Sequence, residues 1–216
     1  MKTALRRPID RLTRHWLHAP GSLTARIAAA CGPVEVLRLR QGRTTLTRAE
    51  QADLNRPGTQ HIQPARPARA AHGREVVLVA GGMPVVWART VLHPLQARTI
   101  WRAVRGLGRR PLADLLFASR HIARTPLQAQ RHGPVAPLTQ QLRRDWLAAT
   151  GQPWPGRGVW VRHSVFLRQG APLRVMEALA PALLRQPAVI ARGAGGDNPA
   201  LAAGASGLRP SRQAAP

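Results

Sequence analysis

The sequence predicts an α+β protein, an antiparallel six-stranded sheet with helices packed on one side. Three observations predict it. Apolar, β-rich runs come in pairs around two-residue turns, segments of helical periodicity lie between the pairs, and there is no internal repeat.

The elements follow in chain order. Arg11 to Ala30 is helical in character and broken at Pro20-Gly21, with Ser22 placed to cap a second helix from Leu23. Val34 to Arg40 reads as a strand, Gln41-Gly42 as a turn and Arg43 to Thr47 as the returning strand. Ala52 to Gly73 carries Pro57, Pro64 and Pro67 without periodicity, so it reads as a loop: either a flap over a site or an insert without one. Arg74 to Ala80, Gly81-Gly82 and Val85 to Leu92 form the clearest hairpin. Pro94 opens a helix through Ile100, Val104 and Leu107, ended by Gly106 and Gly108. Pro111 opens a shorter one with Leu112, Leu115, Leu116 and Phe117, and Leu138 to Ala149 is amphipathic. Val159 to Leu167, Gln169-Gly170 and Pro172 to Leu179 make the last hairpin. One folded domain is expected over 1–184. Residues 185–216, mostly Ala, Gly, Pro, Ser and Arg, read as a disordered basic tail.

Composition narrows the function classes. A chain of 216 residues suits one domain with a real core, and no apolar run is long enough to span a bilayer. Met1 to Arg14 lacks the apolar segment of a secretory signal, although its Arg-rich, acid-poor character also fits a mitochondrial-type presequence. Cys31 is the sole cysteine, which rules out an internal disulfide and a cysteine metal cluster and points to the cytoplasm. The net charge of +24 attracts anions, whether nucleic acid, membrane or substrate. Lys2 is the only lysine, the arginines are dispersed and there are no Tyr and two Phe; this is the composition of a GC-rich genome more than of a dedicated nucleic-acid binder.

Strand alternation places charges among apolar neighbours. Glu177 shares a face with Leu173, Val175 and Leu179, and Arg74 with Val76, Leu78 and Ala80. Arg89 lies between Trp87 and Val91, and Arg162 among Trp160, Ser164 and Phe166. Three arginines against one carboxylate leave positive charge for an anionic ligand such as a dicarboxylate to balance. The alternatives are solvent-exposed edge strands or a plain Arg74–Glu177 pair. No nearby carboxylate or cysteine completes a metal site with His15 and His18, His163 points away from Arg162, and neither a P-loop nor GxGxxG occurs.

At these residues the sequence resembles chorismate lyase. The resemblance is carried by Arg74-Glu75-Val76-Val77-Leu78 with Gly82, Pro84 and Arg89-Thr90-Val91, and by Arg109-Arg110-Pro111-Leu112-Ala113-Asp114-Leu115-Leu116-Phe117. Trp160-Val161-Arg162-His163-Ser164-Val165-Phe166 and Pro172-Leu173 followed by Glu177 complete it, with Trp16 and Ser22-Leu23 in the first helices. Order and spacing hold from Arg11 to Leu184. The departures are His163 for an Arg, Leu23 for a Met, Ala180-Pro181 for Leu-Pro and a longer stretch from Phe117 to Trp160.

The resemblance implies an enzyme that removes pyruvate from chorismate to leave 4-hydroxybenzoate, the first committed step towards ubiquinone. It implies no metal or other cofactor. Arg74 would hold the ring carboxylate, Glu177 would contact the ring hydroxyl, and the backbone at Leu23 and Leu112 would add donors or acceptors nearby; chemistry on the bound ring makes Arg74 and Glu177 the expected catalytic residues, Glu177 as the general base. Arg89 and Arg162 are the arginines expected to meet the enolpyruvyl carboxylate. The expected partners are chorismate and 4-hydroxybenzoate, with no specific nucleic acid, and the expected form is a monomer. Two other readings remain: a non-catalytic small-molecule sensor of the same fold, for which there is no room before Val34 for the usual DNA-binding domain, and a basic nucleic-acid-binding protein.

Overall fold

The computed structural model describes residues 9–55 and 69–187. In chain order the elements are α1 (Arg11–His18), α2 (Leu23–Cys31), β1 (Val34–Thr45), α3 (Arg48–Leu54), β2 (Ala70–Ala80), β3 (Met83–Leu92), α4 (Pro94–Arg98), α5 (Arg102–Arg105) and α6 (Leu112–Leu116). Then come β4 (Ile122–Arg124), β5 (Gln128–His132), α7 (Pro137–Thr150), β6 (Val159–Arg168), β7 (Ala171–Leu179) and α8 (Pro181–Leu184). All strand pairs are antiparallel, in the order β1-β2-β3-β7-β6-β4, with β5 beside β4 on the same edge of β6.

The α+β class is borne out, with seven strands among the described residues instead of six. The first expected hairpin is one long strand. Gln41 and Gly42 do not turn the chain; they stay paired with Arg74 and Gly73, and the irregularity is a register shift between Arg38 and Arg40. Gly42 takes φ 142°, a conformation open to glycine, within a continuous strand. The Gly81-Gly82 turn is as expected: both residues have positive φ, as the tight turn between β2 and β3 requires.

The expected helix from Pro94 breaks at Thr99, after which Trp101 inserts into the core and its Nε1 donates to the Ala171 carbonyl at 3.1 Å. Ser22 caps α2, accepting from the Ala25 N–H at 3.1 Å. Ala52 to Leu54 belong to α3 and Ala70 to Gly73 to β2, while 56–68, most of the expected flap, lie outside the described residues. So does the expected tail from 188 onward.

Helices cover both faces of the sheet, not one. Beneath α1 and α2, Trp16, Leu17, Leu23 and Ile27 pack on Val36, Val76, Leu78, Val86 and Leu179. Farther along this face Trp101, Val104 and Leu116 pack on Leu92, Phe166, Leu173 and Val175. On the other face Leu142 and Trp146 of α7 pack on Val77, Trp87, Val161, Met176 and Ala178. β2, β3, β6 and β7 therefore contribute alternate residues to two cores. Trp16, Trp87, Trp101 and Trp146 are fully buried, each worth roughly 4 kcal/mol of transfer free energy at about 25 cal/mol per Å².

Candidate active site

Register across the sheet sets out the site on the face beneath α2 and α6. Val76, Ala88, Glu177 and Arg162 lie in one row across β2, β3, β7 and β6, and Arg74, Thr90, Val175 and Ser164 in the next. A cavity over these two rows is lined by Leu23, Arg74, Leu112, Arg124, Arg162 and Glu177, with Val76, Thr90, Phe166 and Val175 among its apolar and neutral walls. Arg74 and Glu177 stand two strands and two residues apart, which separates their Cα atoms by roughly 12 Å and leaves the space between their side chains for a ligand.

Arg74 is buried, and its Nη2 donates to the carbonyls of Gly108 at 3.2 Å and Arg110 at 3.0 Å. These bonds fix the approach to α6 and so the position of Leu112. Its Nε has no hydrogen-bond partner among the described residues. Burial, and next the charge of Arg38, push its pKa down to about 10. A buried guanidinium in this state gains from an anion, which the described residues do not provide. Arg74 does not pair with Glu177, which removes the plain structural pair as an account of both.

Glu177 is held by Arg162 instead: the fully buried Arg162 donates from Nε to Glu177 Oε2 at 2.7 Å and from Nη1 to the Trp16 carbonyl at 3.0 Å. Arg162 thus orients the carboxylate of Glu177, which lines the cavity. Leu23 and Leu112 each open a helix, so their N–H groups have no partner within it. Five of the six expected site residues, Leu23, Arg74, Leu112, Arg162 and Glu177, therefore line one cavity.

Arg89 does not join them. Its register partner is Glu75, on the opposite face of the sheet. There it donates from Nε to Glu50 at 2.7 Å, from Nη1 to Glu75 and from Nη2 to the Thr45 carbonyl at 2.9 Å. Burial works to raise the Glu50 pKa, but the hydrogen bond and charge of Arg89 outweigh it and hold the carboxyl below its usual range. Nearby Arg174 donates to Asp53 at 2.7 Å, and His163 lies 3.4 Å from the same carboxylate. The sequence expectation for Arg89 fails because alternation orders residues along one strand but does not say which side of the sheet each set meets.

Arg124 is the cavity residue that sequence reasoning missed. It lies on β4, a three-residue strand of the sequence Ile-Ala-Arg, too short to show alternation. Its Nε donates to Ser164 Oγ at 2.9 Å and its Nη1 to the Gly21 carbonyl at 3.1 Å, and its guanidinium carbon lies 5.1 Å from the Phe166 ring centre. The cavity encloses about 50 Å³, well below the roughly 150 Å³ that admits a benzene ring in an engineered protein. Seating a ring there requires the lining residues to move apart. Among the described residues no group of three or more His, Cys, Asp or Glu is placed to hold a metal, and no helix is long and apolar enough to cross a membrane.

Comparison with known proteins gives the family of the chain. The chain is 39% identical over 181 residues to a probable chorismate pyruvate-lyase of Albidiferax ferrireducens, covering 83% of this chain and 87% of that one. It is 40% identical over 182 residues to the protein of the same description from an Azoarcus species, covering 84% and 90%. Among solved structures, the ligand-binding domain of a putative GntR-family transcriptional regulator from Bordetella bronchiseptica is similar at TM-score 0.45 and 16% identity, over 69% of this chain and 84% of that one. The family model for chorismate lyase matches residues 7–189, a span that contains every residue of the cavity, and the chain belongs to the chorismate lyase family.

Proposed function

We propose that this protein removes pyruvate from chorismate to give 4-hydroxybenzoate, the ring acid that enters ubiquinone synthesis. The observation that carries the reading is Arg74: a buried cation in a largely apolar cavity, paired with main-chain carbonyls and with no carboxylate among the described residues, in a chain of this family. The ring carboxylate of chorismate supplies the missing charge through a bidentate contact. The ring hydroxyl then lies toward Glu177, where Oε1 accepts it.

The chemistry needs little beyond placement. The carbon–oxygen bond of the enolpyruvyl ether breaks and the hydrogen on the carbon that bears the hydroxyl leaves as a proton. Those electrons form the third ring double bond, and the departing enolpyruvate gains a proton to become pyruvate. Aromatisation drives the step, so the protein has to orient the ether and stabilise charge on the leaving group. Glu177, held by Arg162, sits beside the position from which the proton leaves and acts as the general base. The N–H groups of Leu23 and Leu112, at helix starts, offer donors around the ring carboxylate. The protein works in the cytoplasm as a monomer.

Purified protein mixed with chorismate tests this by ultraviolet absorbance for 4-hydroxybenzoate and a coupled assay for pyruvate. One equivalent of each per chorismate is expected. Intact chorismate in the presence of tight 4-hydroxybenzoate binding would make the protein a sensor and sink the lyase reading.

A further inference from the structure

We infer that the Thr90 hydroxyl is a second anchor of the ring carboxylate, donating to it beside Arg74. The inference rests on the lyase reading above and names the residue that completes its carboxylate subsite.

Thr90 belongs to the floor of the cavity. It is the register partner of Arg74 across β2 and β3, and of Val175 across β3 and β7. Directly opposed residues of an antiparallel pair share a face, with Cβ atoms about 4.5–5.5 Å apart. The adjacent row on this face holds Val76, Ala88 and Glu177. Thr90 is thus next to Arg74 and diagonal to Glu177 once Val175 is passed, and all three residues line the cavity.

Burial makes its hydroxyl stand out. Thr90 is 3% exposed, and among the described residues its Oγ1 has no hydrogen-bond partner. Other buried hydroxyls are paired: Ser164, in the same row, accepts from Arg124 at 2.9 Å, and Thr139 donates to the Gly133 carbonyl at 2.8 Å. A hydroxyl without a partner in the interior costs folding free energy that a valine of the same shape does not. Valine packs well on this face, at Val76 and Val175. The hydroxyl therefore brings the fold nothing that valine would not, and its use lies with a ligand in the cavity.

Arg74 says which part of the ligand. Its Nη2 is taken by two carbonyls, whereas Nε, the guanidinium nitrogen nearest the strand, has no partner among the described residues. An anion bonded to Nε lies low over the sheet, on the side of the neighbouring short side chain. A carboxylate accepts at about four lone-pair positions, more than one guanidinium fills, and a hydroxyl in reach supplies a further donor.

Thr90→Val keeps the shape of the side chain and removes the donor; Thr90→Ser keeps the donor. Each is compared with wild type by calorimetric titration of 4-hydroxybenzoate, by urea unfolding and in chorismate turnover. For Thr90→Val the product Kd rises about 10-fold or more, the weight of a hydrogen bond to a charged group, while the urea midpoint holds or rises. Thr90→Ser stays within about threefold of wild type in Kd. An unchanged product Kd in Thr90→Val overturns the inference. So does a lower urea midpoint in that variant, which makes the hydroxyl a contact of the fold. Wild type that leaves chorismate intact overturns the lyase reading itself, whatever the variants do.

Discussion

On the face of the sheet beneath α7, buried arginines meet carboxylates within the protein: Arg89 lies between Glu50 and Glu75, and Arg174 against Asp53. On the face beneath α2 and α6, Arg74, Arg124 and Arg162 line a cavity whose one acidic lining residue, among those described, is Glu177. The strands are the same and the burial is similar. What differs is where the balancing charge comes from. A buried ion pair closed within the protein fixes the fold, whereas a buried cation left short of an anion costs stability until a ligand arrives.

The contrast is tested by making the same substitution on each side. Arg89→Leu strands Glu50 in the interior and leaves Glu75 with Arg40 as its cation, so urea unfolding should show a loss of about 3–5 kcal/mol. Arg74→Leu removes a cation that has no carboxylate partner among the described residues, so unfolding stability should hold or rise, while calorimetry with 4-hydroxybenzoate shows a loss of about 2–5 kcal/mol in binding. Equal losses of stability in the two variants would erase the distinction between the faces. Glu177→Gln keeps the shape of the side chain and removes the base; kcat should fall about a hundredfold with a much smaller change in product affinity. Equal turnover would take Glu177 out of the chemistry. The smallest effect belongs to the structural face alone. Thr47→Ala breaks the capping box with Glu50 that starts α3 and should cost about 1 kcal/mol of stability with product affinity unchanged.

How much of this was legible in the sequence follows the same division. The β2–β3 and β6–β7 hairpins were legible because apolar alternation and paired turn residues agree there, and Arg74 and Glu177 stood out as charges within that alternation. Arg89 was read the same way and belongs to the other face, since its register with Glu75 is a property of strand pairing that no single strand encodes. β4 and β5 were missed because Ile-Ala-Arg and Gln-Ala-Gln-Arg-His are short, polar and on a sheet edge, and Arg124 was missed with them. α3 left a usable signal in Thr47 and Glu50, the spacing of a capping box, but Arg43 to Thr47 read as a strand and the prolines after Ala52 as a loop. The Gln41-Gly42 pair misled in the opposite direction: turn residues lie inside a strand that pairing with β2 keeps continuous.

The most direct test of the account is a crystal structure with 4-hydroxybenzoate bound. It predicts the ring beneath α2 and α6, with its carboxylate on Arg74, its hydroxyl at Glu177 and the lining residues moved apart to admit it. Product bound on the α7 face against Arg89 or Arg174, or an Arg74 that turns away from the bound carboxylate, would contradict it.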